Sequence, residues 1–295
     1  MIFDKKQSDK AIFIAGCGDI GQRVAQRYLQ EGQPVIAMAR TAERARSLKT
    51  LGIRPFDADL DDPQTLVGMP TTAASVFYFA PPSADGERDT RMRHFLNAIQ
   101  ATGLPRRIVY ISTTGVYGNT QGAWVNEQSP LQPATARARR RLDAECQLSS
   151  WCVQHHVENI ILRVPGIYGS GRWPLQRLQA GKPVLLEQES AYVNRIHAED
   201  LADICITVMQ SAPSPRIYNV SDGKPCSMTD YFNKVADAFD LPRPPQISRA
   251  EAEASISPAM LSYMDESRRV DNSLLVKELG ITLRYPDLDA GLADR

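Results

Sequence analysis

Long apolar runs are missing from this 295-residue chain: no stretch approaches the ~20 consecutive apolar residues that a membrane span needs. Residues 1–10 are charged and lack the apolar centre of a secretory signal, which sets the expectation of a soluble, cytoplasmic protein with a frayed start. Neither sign of charge is in excess. Lys+Arg and Asp+Glu both number 34, so no global field attracts nucleic acid or an anionic membrane, and both are set aside as partners. Cysteine is sparse: Cys17, Cys146, Cys152, Cys205 and Cys226 are odd in number, scattered, and without metal-ligand spacing. That argues against a disulfide framework or a metal site and fits a reducing compartment. Internal repeats, heptad seams, low-complexity tracts and a Ser-His-Asp constellation are lacking too. What remains is a neutral chain, 43% hydrophobic, long enough to bury a large α/β core with an appended lobe and suited to a small-molecule substrate.

The residues that are present are organised around one stretch. Ile12-Phe13-Ile14-Ala15 reads as a buried strand, and Gly16-Cys17-Gly18-Asp19-Ile20-Gly21 carries it through a glycine turn into a helix predicted over residues 19–31. In G-x-G-x-x-G the glycines give a tight turn, room for a pyrophosphate against the backbone, and close packing of helix on strand. A dinucleotide is the expected ligand, with its phosphates at the positive end of the helix.

A second buried strand, residues 34–39, ends at Arg40. An acidic residue near this point bonds the ribose hydroxyls in NAD-specific folds, whereas an arginine accommodates a 2′-phosphate. Arg40, Thr41 as the cap of the next helix, and Arg44 one turn on therefore predict NADP, with NAD less favoured. The competing reading leaves these arginines solvating a helix start. After a third strand at 53–56, Asp59 is either an acceptor for the adenine amino group or the initiator of a helix at Pro63. Strands at 75–80, 107–112 and 159–164, with helices at 90–101 and 135–156, continue the βα alternation, and the polar run 83–89 reads as a loop. The predicted class is α/β: a Rossmann doubly wound parallel sheet over residues 1–169, then a smaller C-terminal α+β substrate lobe over 170–295. That lobe is expected to hold short strands at 183–186 and 217–220 and helices at 198–210, 229–239 and 273–279, some of which return to the sheet.

The chain resembles the extended, epimerase/dehydratase branch of the short-chain dehydrogenases/reductases. The resemblance rests on an ordered set: the glycine turn, Asp57-Ala58-Asp59-Leu60, Ser112-Thr113-Thr114-Gly115-Val116-Tyr117-Gly118, Arg163-Val164-Pro165-Gly166-Ile167-Tyr168-Gly169, Asn194-Arg195-Ile196-His197-Ala198-Glu199-Asp200, and Tyr218-Asn219-Val220-Ser221-Asp222-Gly223. It implies an NAD(P)-binding lobe, hydride transfer to or from a polar, nucleotide-sugar-like or phosphorylated compound, and a homodimer. The implied cofactor contacts are Gly16, Cys17, Gly18, Asp19, Ile20, Gly21, Arg40, Thr41, Arg44, Asp59, Leu60, Ala80, Pro81, Arg141 and Val164. His197 and Asp200 read as structural.

Two departures from that family stand out. Ala15 replaces the first glycine of the family's G-x-x-G-x-x-G, and no tyrosine occurs between Trp124 and Trp151, where the family places Tyr-x-x-x-Lys. Counting back from Glu145, those two positions hold Arg137 and Arg141. Arginine stays protonated and offers no lone pair, so it cannot act as the base. Arg137 and Arg141 share a helix face by their i, i+4 spacing, and either grip an anionic group or form a solvated surface with Arg139 and Arg140. Thr113 matches the family's catalytic Ser/Thr, and Tyr117 is a substitute proton donor or a packing residue. Two functions follow: an NADP-dependent oxidoreductase, epimerase or dehydratase without the usual tyrosine, or a non-catalytic NADP-binding sensor or regulatory protein.

Overall fold

The structure, a computed structural model, describes residues 11–255 and 266–295, so the start expected to fray lies outside the described residues. The chain forms two compact units. The first is Met1–Ser112, Thr135–Leu162 and Ala202–Ile217; the second is Thr113–Ala134, Arg163–Leu201 and Tyr218–Arg295. Segments that cluster in space need not be consecutive, and 113–134 falls in the second unit while 202–217 falls in the first.

In chain order the elements of the sheet and its helices are β1 (Ile12–Ala15), α1 (Asp19–Gln30), β2 (Val35–Ala39), α2 (Ala42–Thr50), β3 (Arg54–Asp57), β4 (Ser75–Tyr78), α3 (Thr90–Thr102), β5 (Arg107–Thr113), α4 (Ala136–His155), β6 (Glu158–Val164), α5 (Ala198–Ser211) and β7 (Arg216–Asn219). The seven strands lie in the order β7-β6-β5-β4-β1-β2-β3, which is the doubly wound Rossmann arrangement. Ile12 of β1 pairs in parallel with Val35 of β2 on one side and Ser75 of β4 on the other. Strand order reverses at β1, and ligands of open α/β sheets bind at the carboxyl ends beside such a switch. All four residues of β1 are buried, as befits a strand covered on both faces.

Local chemistry sets the ends of the helices. Thr41 caps α2 by accepting from the Arg44 amide, Asp89 caps α3 through the Met92 amide, and Thr135 caps α4 through the Ala138 amide. Phe13, Val76, Tyr78, Phe95, Ile108, Tyr110, Leu148 and Ile161 belong to one buried apolar cluster of the first unit. Burial of each such side chain contributes roughly 1.5–3 kcal/mol, which holds the strand ends in register for a site.

The second unit is built from short strand pairs. Gly166–Tyr168 runs parallel to Arg195–His197, Trp124–Val125 to Arg269–Val270, and Val184–Leu185 to Gln246–Ile247, while Tyr192–Val193 is antiparallel to Cys226–Ser227. Its own core gathers Tyr168, Leu178, Val184, Tyr231, Phe232 and Val235. Buried Asp200 accepts from the amides of Arg284 (2.8 Å) and Tyr285 (3.0 Å), and the His197 ring lies 3.7 Å from that of Tyr285. Both residues thus tie down the C-terminal segment. No helix among the described residues is long and apolar enough to cross a membrane.

Candidate dinucleotide site

Each glycine of the turn has its own physical role. Gly16 has φ +88°, and a Cβ there would stand 2.3 Å from the Ala80 amide nitrogen and 2.5 Å from its Cα, so the turn presses directly against the chain leaving β4. Gly21 packs α1 on β1, where a Cβ would meet the Gly16 carbonyl oxygen at 3.2 Å and Ile14 Cγ2 at 3.3 Å. Gly18 is different. It is exposed, and a Cβ on it would meet nothing within 4 Å. Since the protein itself does not fill that space, the open face at the N-terminus of α1 fits a pyrophosphate, and the residues present suit a dinucleotide.

The other predicted contacts spread around this turn. Cys17 and Ile20 are buried, and burial pushes the Cys17 thiol up to about 11 despite the opposing charge of Arg44. The Asp19 carboxylate accepts from Arg23 Nε at 2.9 Å, an i, i+4 pair that keeps a negative charge in the first turn of α1. Arg44 Nη2 donates to the Cys17 carbonyl oxygen, so this guanidinium turns to the glycine turn itself. Arg91 is a contact that no sequence signal revealed: it forks onto Asp61 (2.7 and 2.5 Å) and donates to the carbonyls of Pro81 (3.1 Å) and Pro82 (3.3 Å). It thereby binds the chain after β3 to the chain after β4, and its hydrogen bonds hold the Asp61 carboxyl below the usual range, with the charges of Arg91 and Arg40 adding to the effect. Leu60 and Ala80 are buried nearby in sequence, and Val164 is buried at the end of β6.

At the carboxyl ends of β2 and β3 lies a cavity of about 500 Å³. Arg40, Thr41, Arg46 and Lys49 line it from β2 and α2, and Asp57 and Asp59 from the β3 side. Arg40 is exposed and makes no hydrogen bond or ion pair with any described residue. The Asp59 carboxylate accepts from the Asp61 amide at 3.0 Å. The helix-initiating role considered for Asp59 belongs instead to Asp62, which accepts from the Gln64 amide ahead of the 3₁₀ turn Pro63–Leu66. Arg46 and Lys49 were not singled out from sequence, although their spacing from Ala42 on one helix face was a usable signal.

The candidate catalytic residues divide sharply. Thr113 ends β5 half-buried; its Oγ1 accepts from the Gly115 amide at 3.1 Å, while its own O–H has no acceptor among the described residues. Tyr117 is 1% exposed, donates to Asn219 Oδ1 at 2.7 Å and accepts from Arg163 Nη1 at 3.0 Å, with the Arg163 guanidinium over its ring. Burial raises its phenol above the ordinary range. A hydroxyl so held takes part in the packing of the second unit. On α4, Arg137 is exposed, whereas Arg141 reaches inward to the Ile111 carbonyl (2.8 Å) and the Tyr110 hydroxyl (3.3 Å). The pair that shares a helix face by spacing is thus split between solvent and sheet.

A doubly wound sheet with this glycine turn defines a Rossmann-type dinucleotide-binding protein. The chain belongs to the NAD dependent epimerase/dehydratase family, whose sequence profile matches residues 12–221. It is 26% identical over 296 residues to Protein YeeZ of Escherichia coli (strain K12), covering 94% of this chain and 97% of that protein. A functionally unknown conserved protein from Silicibacter pomeroyi has a similar solved structure, with a TM-score of 0.82 and 28% identity over 96% of this chain and 97% of that one. UDP-glucose 4-epimerase of Thermus thermophilus, in complex with NAD, shares the fold with a TM-score of 0.76 at 21% identity, covering 96% of each chain.

Proposed function

We propose that this chain is an NADP-dependent oxidoreductase of the epimerase/dehydratase kind, acting on a polar hydroxyl or carbonyl compound such as a nucleotide sugar. The observation that carries the reading is Arg40, exposed at the end of β2 on a cavity that it lines together with Thr41, where a 2′-phosphate needs a cation. Gly16, Gly18 and Gly21 hold the pyrophosphate at the start of α1, Asp59 faces the adenosine end, and Arg141 takes the place of the family's lysine. NADP supplies a hydride acceptor or donor when bound. Thr113 donates its free O–H to the reacting oxygen of the substrate and so polarises it. The UDP-glucose epimerase of the same fold motivates the substrate class.

The second reading, a non-catalytic NADP-responsive protein, is favoured by the commitment of Tyr117 to Asn219 and Arg163 and by Arg137 at the position of the missing tyrosine. Two measurements separate the outcomes. Ligand linkage stabilises the folded state by about 2.7 kcal/mol at 100 times Kd, so NADPH is expected to raise Tm, and an unchanged Tm at saturating concentration removes the cofactor assignment. Following NADPH absorbance across a panel of nucleotide sugars and their keto derivatives then tests turnover; binding without turnover on any of them favours the sensor.

A further inference from the structure

The cavity at the ends of β2 and β3 carries more positive charge than Arg40 supplies. Arg46 and Lys49 line it from α2, both are exposed, and neither has a hydrogen bond or ion pair with a described residue. Helix geometry explains their convergence. Ala42, Ala45, Arg46 and Lys49 stand at i, i+3, i+4 and i+7, a single face of α2. Side chains on a helix lean toward its N-terminus, which brings both cations back toward Arg40 and Thr41. Ala42 and Ala45 are small, so the helix surface between the charges stays open. Three like charges around one cavity repel, and Asp57 and Asp59 from the β3 side offset part of that charge. Arg44 does not join this group, because its guanidinium is spent on the Cys17 carbonyl.

We infer that Arg46 and Lys49, acting with Arg40, hold the 2′-phosphate of the cofactor and that they, rather than Arg44, set the preference for NADP over NAD. The inference rests on the NADP reading above and extends it to residues on the far turns of α2. A phosphate monoester dianion placed among the three cations relieves their repulsion and accepts charge-assisted hydrogen bonds, from the two guanidinium forks and from a lysine acting as a point charge. The ribose hydroxyl of NAD brings no such charge.

The test is calorimetric binding of 2′,5′-ADP and of 5′-AMP to the full chain, with inorganic phosphate as a third probe. The wild type is expected to bind 2′,5′-ADP at least about tenfold tighter than 5′-AMP, as one charge-assisted contact requires. Arg46→Gln and Lys49→Gln are each expected to cut that ratio by about three- to tenfold and to leave 5′-AMP affinity within about twofold. Arg44→Gln is expected to weaken both nucleotides alike. Both positions are exposed, so unchanged circular dichroism and Tm check that the variants fold. If the Arg46/Lys49 double variant keeps the wild-type ratio while Arg40→Gln collapses it, the assignment to α2 is overturned and the NADP reading stands. If the wild type shows a ratio near one, the NADP reading falls and this inference with it. Inorganic phosphate competing with 5′-AMP as well as with 2′,5′-ADP shows a general anion site, which also overturns the specificity role.

Discussion

Arg44, in the first turn of α2, donates to the carbonyl oxygen of Cys17, a residue 27 positions earlier in the glycine turn. One side chain therefore couples the start of α2 to the turn that begins α1. Its loss leaves a turn carbonyl to find water and frees both helix starts to shift. Arg44→Ala is expected to lower stability by about 1 kcal/mol, read as a lower denaturant midpoint at unchanged m.

The glycines at 16 and 18 separate folding from binding. At Gly16 the left-handed φ and the 2.3 Å approach to Ala80 act together, so Gly16→Ala is expected to cost about 3 kcal/mol or more. Gly18→Ala meets no protein atom and is expected to stay within about 1 kcal/mol of wild type, yet to lose dinucleotide affinity. Thermal melts with and without NADPH decide both halves; a Gly18→Ala protein that gains the full wild-type shift excludes the turn as the pyrophosphate site.

Thr113 and Tyr117 are expected to differ in turnover. Tyr117→Phe leaves Asn219 and Arg163 with a missing buried partner and should cost about 1–3 kcal/mol of stability while sparing turnover. Thr113→Ala loses the cap on the Gly115 amide, at about 1 kcal/mol of stability, and differs from Tyr117→Phe in turnover, where kcat should fall by tenfold or more, about 1.4 kcal/mol of barrier. Steady-state kinetics beside urea melts on the two variants would show the reverse pattern if Tyr117 were the proton donor.

Asp222 gives a pH signature of the second unit. Burial first, and the nearby charge of Asp287 next, push its carboxyl from 3.8 up to about 7, against the opposing Arg195 and the hydrogen bond from the Lys224 amide. Between these values the folded state holds a proton that the unfolded state has lost, so this group makes stability fall as pH rises from about 4 to about 7 and then level off. Asp222→Asn is expected to flatten that slope and to be more stable than wild type at pH 8. Equal pH slopes for the two proteins in urea titrations would rule out the effect.

Local chemistry made much of the first unit legible. Four apolar residues followed by three spaced glycines mark β1 and the turn, Thr41 marks the α2 cap, and the end of an apolar run puts Arg40 at a strand terminus. These signals are local because they depend on hydrogen bonds and backbone freedom within a few residues. Helix ends differ from the expected ones by a residue or so, where the capping geometry and not the apolar pattern decides the last turn.

The sequence by itself determined the βα alternation, the glycine turn and the cation at the end of β2, together with the missing tyrosine, since each is written in consecutive or periodic residues. Only the tertiary structure decided which way those side chains point. It turned Arg44 to Cys17, sent Arg141 inward while leaving Arg137 in solvent, gathered Arg46 and Lys49 around the cavity, and closed Tyr117 onto Asn219, 102 residues away. The reason is physical: a long polar side chain takes the partner that satisfies its buried hydrogen bonds, and that partner is chosen by packing between segments far apart in the chain.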